Sequence, residues 1–170
     1  MASTYTLISS QVLGSSAASV TFSSIPQTYK DLVLRVSSRS DDTGSSVFTI
    51  AFNGDSATNY SYTAIRANST PAADSISATN QTYIYANYMP SSTTTANTFS
   101  NDEIYIPSYT LAQNKPISTT TNEENNSSTS VWYVVANAGL WRNTAAITSI
   151  TLGNLGVNFV TGSSFYLYGI

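Results

Sequence analysis

Apolar side chains recur at every second position along most of this chain, and no long stretch repeats them at helical spacing. Period-two alternation marks strands with one buried face. In DLVLRVSSR, Leu32, Leu34 and Val36 point one way, while Val33 and Arg35 point the other. VFTIAF puts Phe48, Ile50 and Phe52 on one face, and NDEIYIPSY sets Ile104 and Ile106 against Tyr105. SVWYVVANA places Trp132 and Val134 opposite Val131, Tyr133 and Val135. Tyr5 and Leu7 alternate with Thr6 and Ile8, and Val20 shares a face with Phe22. AITSITL and SSFYLYGI close the chain in the same way, and weaker strands are predicted at 60–66, 82–88 and 116–121. β-branched residues and serines interrupt every candidate helix. They disfavour helix through χ1 stiffness and through hydroxyls that compete for backbone groups. The one helical feature predicted is a short turn near Leu140–Arg142.

Turn chemistry separates these runs: Pro26-Gln27, Asp41 to Gly44, Asn53-Gly54, Pro71, Asn122 to Asn126, Gly153-Asn154 and Thr161-Gly162. About ten short strands at this spacing predict an all-β fold, an antiparallel β-sandwich of jelly-roll-like type. No repeat or linker divides the chain, so residues 1–170 form one domain. STPAADSISATNQT (69–82) and SSTTTANTFS (91–100) read as exposed loops, with arms that order on a neighbouring subunit as the alternative. IAFNGDSATNYSYTAI (50–65) reads as a hairpin-like connection in which Gly54 permits a positive φ.

Composition then removes whole classes of function. There is no cysteine and no histidine. That excludes disulfides, thiolate metal sites, cysteine nucleophiles and the commonest general base near neutral pH. Charged residues make up 9% of the chain, with a formal net charge of −3, against roughly 25% charged in an average domain. No basic patch is present to meet phosphates, so nucleic acid is not an expected partner. No apolar run is long enough to span a membrane, and MASTYTLISSQVLG lacks the basic segment of a secretory signal. The expectation is a protein that stays in its producer's cytoplasm or leaves by particle assembly and lysis.

Carboxylates are the remaining source of acid–base chemistry. Asp41-Asp42, Asp102-Glu103 and Glu123-Glu124 are doublets. Neighbours on a strand face opposite ways, so none is a facing pair by itself. They read as turn residues or solvated edges, and Asp31 as punctuation before a strand. A calcium site from Asp41, Asp42 and Asp55 lacks the ligand run that would support it. The Asn-x-Ser/Thr triplets at Asn59, Asn68, Asn80, Asn125 and Asn126 arise by chance in a chain this rich in Asn, Ser and Thr. No catalytic residue, metal site or cofactor is predicted.

Aromatics are the more informative set, with 12 tyrosines. Tyrosine brings contact area and a hydroxyl at low entropic cost, which suits recognition surfaces. Tyr60, Tyr62, Tyr83, Tyr85 and Tyr88 are candidates for a sugar-stacking platform. Plain sheet packing is the competing reading, since half-buried strands favour tyrosine. Arg66 joins them as a candidate contact. Trp141-Arg142 reads as a cation–π pair, an interface anchor, or a tryptophan closing the end of the core.

YTLISSQVLGSSAASVTFSSIPQTYKDLVLRVSSRSD resembles the opening of a module found in tailed bacteriophages, notably those of cyanobacteria and other aquatic hosts. FNGDSATNYSYTAI, GLWRNTAAITSITL and GSSFYLYGI are similar to its later landmarks, in the same order. The resemblance implies a virion structural protein, located in the particle, in head or tail, with no catalytic residues to carry over. Two functions are expected. One is a capsid decoration or cement protein bound to the major capsid protein or neighbouring virion proteins, as a homo-oligomer, with a trimer favoured. The other is a tail or fibre component that recognises host glycan. A glycan-processing enzyme would need an acid/base pair that the chain does not offer.

Overall fold

The computed structural model describes residues 4–44, 46–68, 73–126 and 133–170, so the predicted facing of Val131 and Trp132 lies outside the described residues. The strands are β1 (Thr6–Val12), β2 (Ser19–Phe22), β3 (Leu32–Ser37), β4 (Ser46–Phe52), β5 (Tyr60–Asn68), β6 (Ala73–Gln81), β7 (Ile84–Met89), β8 (Asn101–Ile106), β9 (Lys115–Glu123), β10 (Tyr133–Trp141), β11 (Ile150–Asn154) and β12 (Ser164–Gly169). They form an eight-stranded sheet, β1-β12-β3-β8-β9-β10-β5-β6, and a four-stranded sheet, β2-β11-β4-β7.

The topology follows from two inserted pairs. Without β5–β6 and β9–β10, the remaining strands pair as one folded-over ribbon: β1 with β12, β2 with β11, β3 with β8, β4 with β7, all antiparallel. Rolling that ribbon sets β12 beside β3 and β11 beside β4. This is the jelly-roll arrangement of an antiparallel sandwich. The inserted pairs join each other through β10 and β5 and extend the larger sheet beyond β8.

The alternation does what the sequence predicts. Leu32, Leu34, Val36, Ile104 and Ile106 of the larger sheet face Phe48, Ile50, Phe52, Ile150 and Leu152 of the smaller one, all buried. Burying each such side chain contributes about 1.5–3 kcal/mol. A second cluster forms where the extension passes under the edge of the small sheet. It contains Ala64, Tyr88, Tyr133 and Val135, with Val47, Ile76 and Tyr85 packed on it. Side chains of the larger sheet also cap carbonyls of β7. Asn137 Nδ2 donates to Tyr85 O and, at 3.3 Å, to Ala86 O, which also accepts from Thr119 Oγ1 at 3.1 Å. Gly139 makes this approach possible: a Cβ there would lie 2.8 Å from Ile84 Cγ2 and 2.9 Å from Ile117 Cγ1.

Four expectations change. The stretch 69–82 is not simply a loop, because β6 occupies 73–81 as an edge strand paired with β5. Segment 91–100 is a built loop: Ser91, Thr94 and Ser100 are buried. It wraps Arg39, whose Nη1 donates to Thr95 O at 2.8 Å and Thr98 O at 3.0 Å, and whose Nη2 donates to Thr94 O at 3.1 Å. No helical turn forms at Leu140, since β10 runs on to Trp141. Finally, Asn53 and Gly54 do turn with φ of 53° and 67°, and Asp55 N closes the turn on Phe52 O at 2.9 Å. Yet the strands on either side are not partners: β4 lies in the small sheet and β5 in the large one. The turn is a crossing between sheets.

Candidate functional site

The crossing loop and the end of β10 build one end of the core. Trp141 is fully buried. Its ring lies 5.4 Å from Phe52 and stacks on Tyr60 at 6.3 Å with 16° between planes. Its indole Nε1 donates to Asp55 Oδ2 at 2.7 Å. Asp55 also accepts from Ala57 N and Asn59 Nδ2. The Asn59 and Trp141 hydrogen bonds hold its carboxyl below the usual carboxylate range. Tyr60 is fully buried as well. Its hydroxyl accepts from Phe52 N and donates to Asp55 O, each at 3.1 Å, and burial pushes it up to about 12. Tyr60 and Trp141 therefore close the core and offer no surface. Arg142 points outward, donating to Thr58 O at 2.7 Å and Asn80 Oδ1 at 2.9 Å. It makes no pair with the buried Trp141 ring.

The other candidates gather around the second cluster. Tyr62 stacks on Tyr85 at 5.5 Å, Tyr85 meets Tyr88 edge-on at 5.7 Å, and Tyr88 stacks on Tyr133 at 3.7 Å. Arg66 lies over this row, 5.6 Å from the Tyr88 ring and 5.9 Å from that of Tyr133. It grips Asp74 with two bonds of 2.6 and 2.7 Å and donates from Nη1 to the Tyr88 hydroxyl. Of the alternatives for Trp141-Arg142, the tryptophan closes the end of the core, and the cation–π contacts lie at Arg66 instead. Tyr88 is buried, whereas Tyr62, Tyr83 and Tyr85 are half-buried. Burial first, and then the neighbouring Tyr83 and Tyr88 hydroxyls, push the Tyr62 hydroxyl upward. The structure therefore brings Tyr62, Arg66, Tyr85 and Tyr88 together, and the first and third keep partly exposed rings.

The doublets divide as strand geometry demands, but two of them send one member inward. Asp102 is fully buried and Glu123 is 4% exposed, while Glu103 faces out to pair with Arg35 at 2.5 Å. Asp102 sits opposite Thr121 in the β8–β9 register, so Glu123 is its diagonal neighbour. Asp102 accepts from Ser100 Oγ at 2.5 Å and from Thr121 Oγ1. Desolvation drives its carboxyl up to about 7. Desolvation drives Glu123 up to about 8, with Asp102 adding to the rise and Arg39 opposing it. A turn or solvated-edge reading fails for these two because inward alternation outranks the polarity of a single residue. Walled off from solvent, they serve the interior. The other carboxylates are occupied by donors. Asp41 accepts from Asn158 N and Nδ2, Asp42 from Thr43 N, Gly44 N and Ser46 Oγ, and Asp31 from Tyr105 Oη and Ser108 N. Among the described residues, no three His, Cys, Asp or Glu side chains gather as a metal site.

Among the described residues, two outward regions of the larger sheet expose aliphatic side chains. On the jelly-roll half, Leu7 and Val12 of β1 are 52% and 60% exposed. On the extension, Ile65 and Val134 are 65% and 56% exposed beside a shallow depression of about 190 Å3. No family model, curated protein or solved structure matches the chain.

Proposed function

We propose that this chain is a non-enzymatic structural component of a virus particle, and specifically a decoration or cement protein bound to the outside of the assembled head. One observation carries the reading. Most ionisable groups that could do chemistry are engaged by partners within the chain, while the outer face of β9, β10, β5 and β6 carries no charged side chain and exposes the aliphatic Ile65 and Val134. Asp55 is spent on Trp141, Asp102 on Ser100 and Thr121, Arg39 on loop carbonyls, and Arg66 on Asp74. What is left suits contact rather than turnover. The jelly roll is an architecture of capsid and lectin domains, an argument by fold-level analogy.

Cementing is linkage: a ligand of the assembled state stabilises that state by mass action. Weak contacts repeated by the symmetry of the shell add avidity. The test is to strip particles of the protein, add it back, and follow genome release on heating and in low salt. Earlier release is expected from stripped particles, with recovery on adding the protein back. Equal release with and without it removes the cementing mechanism.

A second reading, a tail or fibre component that recognises host glycan, is favoured by the half-buried Tyr62 and Tyr85 rings, stacked with 27° between planes. Rings open on one side can stack on a sugar. Binding on a glycan array that disappears in Tyr62→Ala would favour it. A blank array, with host adsorption unaffected by added protein, would remove it.

A further inference from the structure

We infer that the outer face of the extension, formed by β9, β10, β5 and β6, is a self-association surface on which a second copy of this chain packs face to face. Strand alternation aims one residue of every two outward here. The outward positions of all four strands carry only Ala, Ser, Thr, Pro, Asn, Val, Leu and Ile. The charges of these strands, Lys115, Glu123, Arg66 and Asp74, lie on the opposite face. Such a face does not repel its own copy, and it offers no charge by which to select a different, charged partner.

Its shape is self-complementary. Ala136 is the cross-strand partner of Ile65, so Val134, two residues along, is its diagonal neighbour. Ile65 and Val134 are exposed beside a depression also lined by Ala67, Ala73, Ala136 and Arg66, whose guanidinium is held by Asp74. A two-fold axis lets the exposed Ile65 of each copy enter the depression of the other, as an isologous contact requires. Small side chains allow two sheets to approach to about 10 Å. The area is sufficient too. Four strands about 4.8 Å apart, each with four outward residues about 6.8 Å apart, cover roughly 500 Å2. Two such faces bury about 1,000 Å2, the lower bound for a specific interface with good complementarity.

The inference adds a surface and a symmetry to the particle-component reading, and its test does not depend on that reading. Sedimentation equilibrium of the full chain is expected to give twice the 18.1 kDa mass of one chain. Ile65→Glu and Val134→Lys, each checked for folding by circular dichroism, are expected to weaken association about a hundredfold or more by burying unpaired charge. Leu7→Glu, on β1 at the far edge of the sheet, is expected to leave the dimer intact. Mixing Ile65→Glu with Ile65→Lys is expected to restore association. A monomer at all concentrations, a trimer, a dimer that ignores both substitutions, or one broken equally by Leu7→Glu would overturn the inference. Binding of these variants to isolated shells is scored separately. A chain that dimerises as described but never binds a shell contradicts the cement reading and leaves the dimer standing.

Discussion

The indole N–H of Trp141 donates to the Asp55 carboxylate at 2.7 Å, tying the end of β10 to the loop that carries the chain from the small sheet to the large one. That bond couples the sheets at the end of the core where Phe52, Tyr60 and Trp141 meet. Asp55→Ala leaves the indole donor without its acceptor and releases Asn59 and Ala57 from the loop. A cost of about 2–3 kcal/mol is expected in urea unfolding, the scale for leaving a buried donor unmade. A midpoint equal to that of the wild type would show that the bond does not hold the sheets together.

Gly139→Ala is expected to destabilise the fold by about 1–3 kcal/mol, the cost of overpacking a filled core. The added methyl would meet both Ile84 and Ile117. Ile84→Ala removes both the Cγ2 and the Cδ1 that the methyl would meet, so the double variant is expected to be more stable than the sum of the singles predicts. Strict additivity would mean that the close approach of β7 to β10 does not depend on Gly139.

Acid and base act on different carboxylates. Hydrogen bonds from Asn59 and Trp141 hold Asp55 below its ordinary value, and bonds from Asn158 do the same for Asp41. The stability they add is present above the unfolded-state value and is lost as pH falls through the lower folded-state value. Asp102 and Glu123 have the opposite sign. Their folded values rise from the ordinary 3.8 and 4.5 to about 7 and about 8. Their protonated forms favour the folded state fully below the ordinary values, and that contribution drains away as pH climbs to about 8. The melting temperature is therefore expected to fall from mildly acidic to mildly alkaline pH. Asp102→Asn is expected to flatten that slope. A wild-type melting temperature that rises over this range would contradict the assignment.

Arg39 organises the serine- and threonine-rich loop that precedes β8. Arg39→Ala removes the donors held by Thr94, Thr95 and Thr98 and withdraws the cation facing Glu123. Roughly 3 kcal/mol of destabilisation is expected, as for breaking a buried charged network. Faster amide exchange should be concentrated in 91–100. Arg39→Lys should not restore protection, because one ammonium cannot span carbonyls that a planar guanidinium reaches together. Unchanged exchange in that loop would show that it stands without Arg39.

Much of the sandwich is legible in the sequence because large apolar residues alternate with polar ones where a strand has one face in the main core. β3, β4 and β8 are of this kind. β6 is not: ADSISATNQ offers one large apolar residue, Ile76, and lies at a sheet edge. Small polar residues at an edge strand look like a loop because little packing pressure acts on them. The pairing of β1 with β12 and of β3 with β8 is likewise absent from any local pattern, since it joins distant segments. Among the candidate residues, tyrosine spacing finds the cluster at Tyr62, Tyr85 and Tyr88. It cannot separate these from Tyr60, whose hydroxyl is satisfied inside the core. The inward members of the acidic doublets were findable. Asp102 alternates in phase with Ile104 and Ile106, and that phase places it inside.

Whether the protein is a component of a virus particle is tested by labelling intact particles from cells that make it with gold-conjugated antibody against it and viewing them by electron microscopy. Gold spread over the head is the expected result. Gold confined to the tail would contradict the cement role in favour of adhesion. Particles that carry no label would contradict the particle assignment itself.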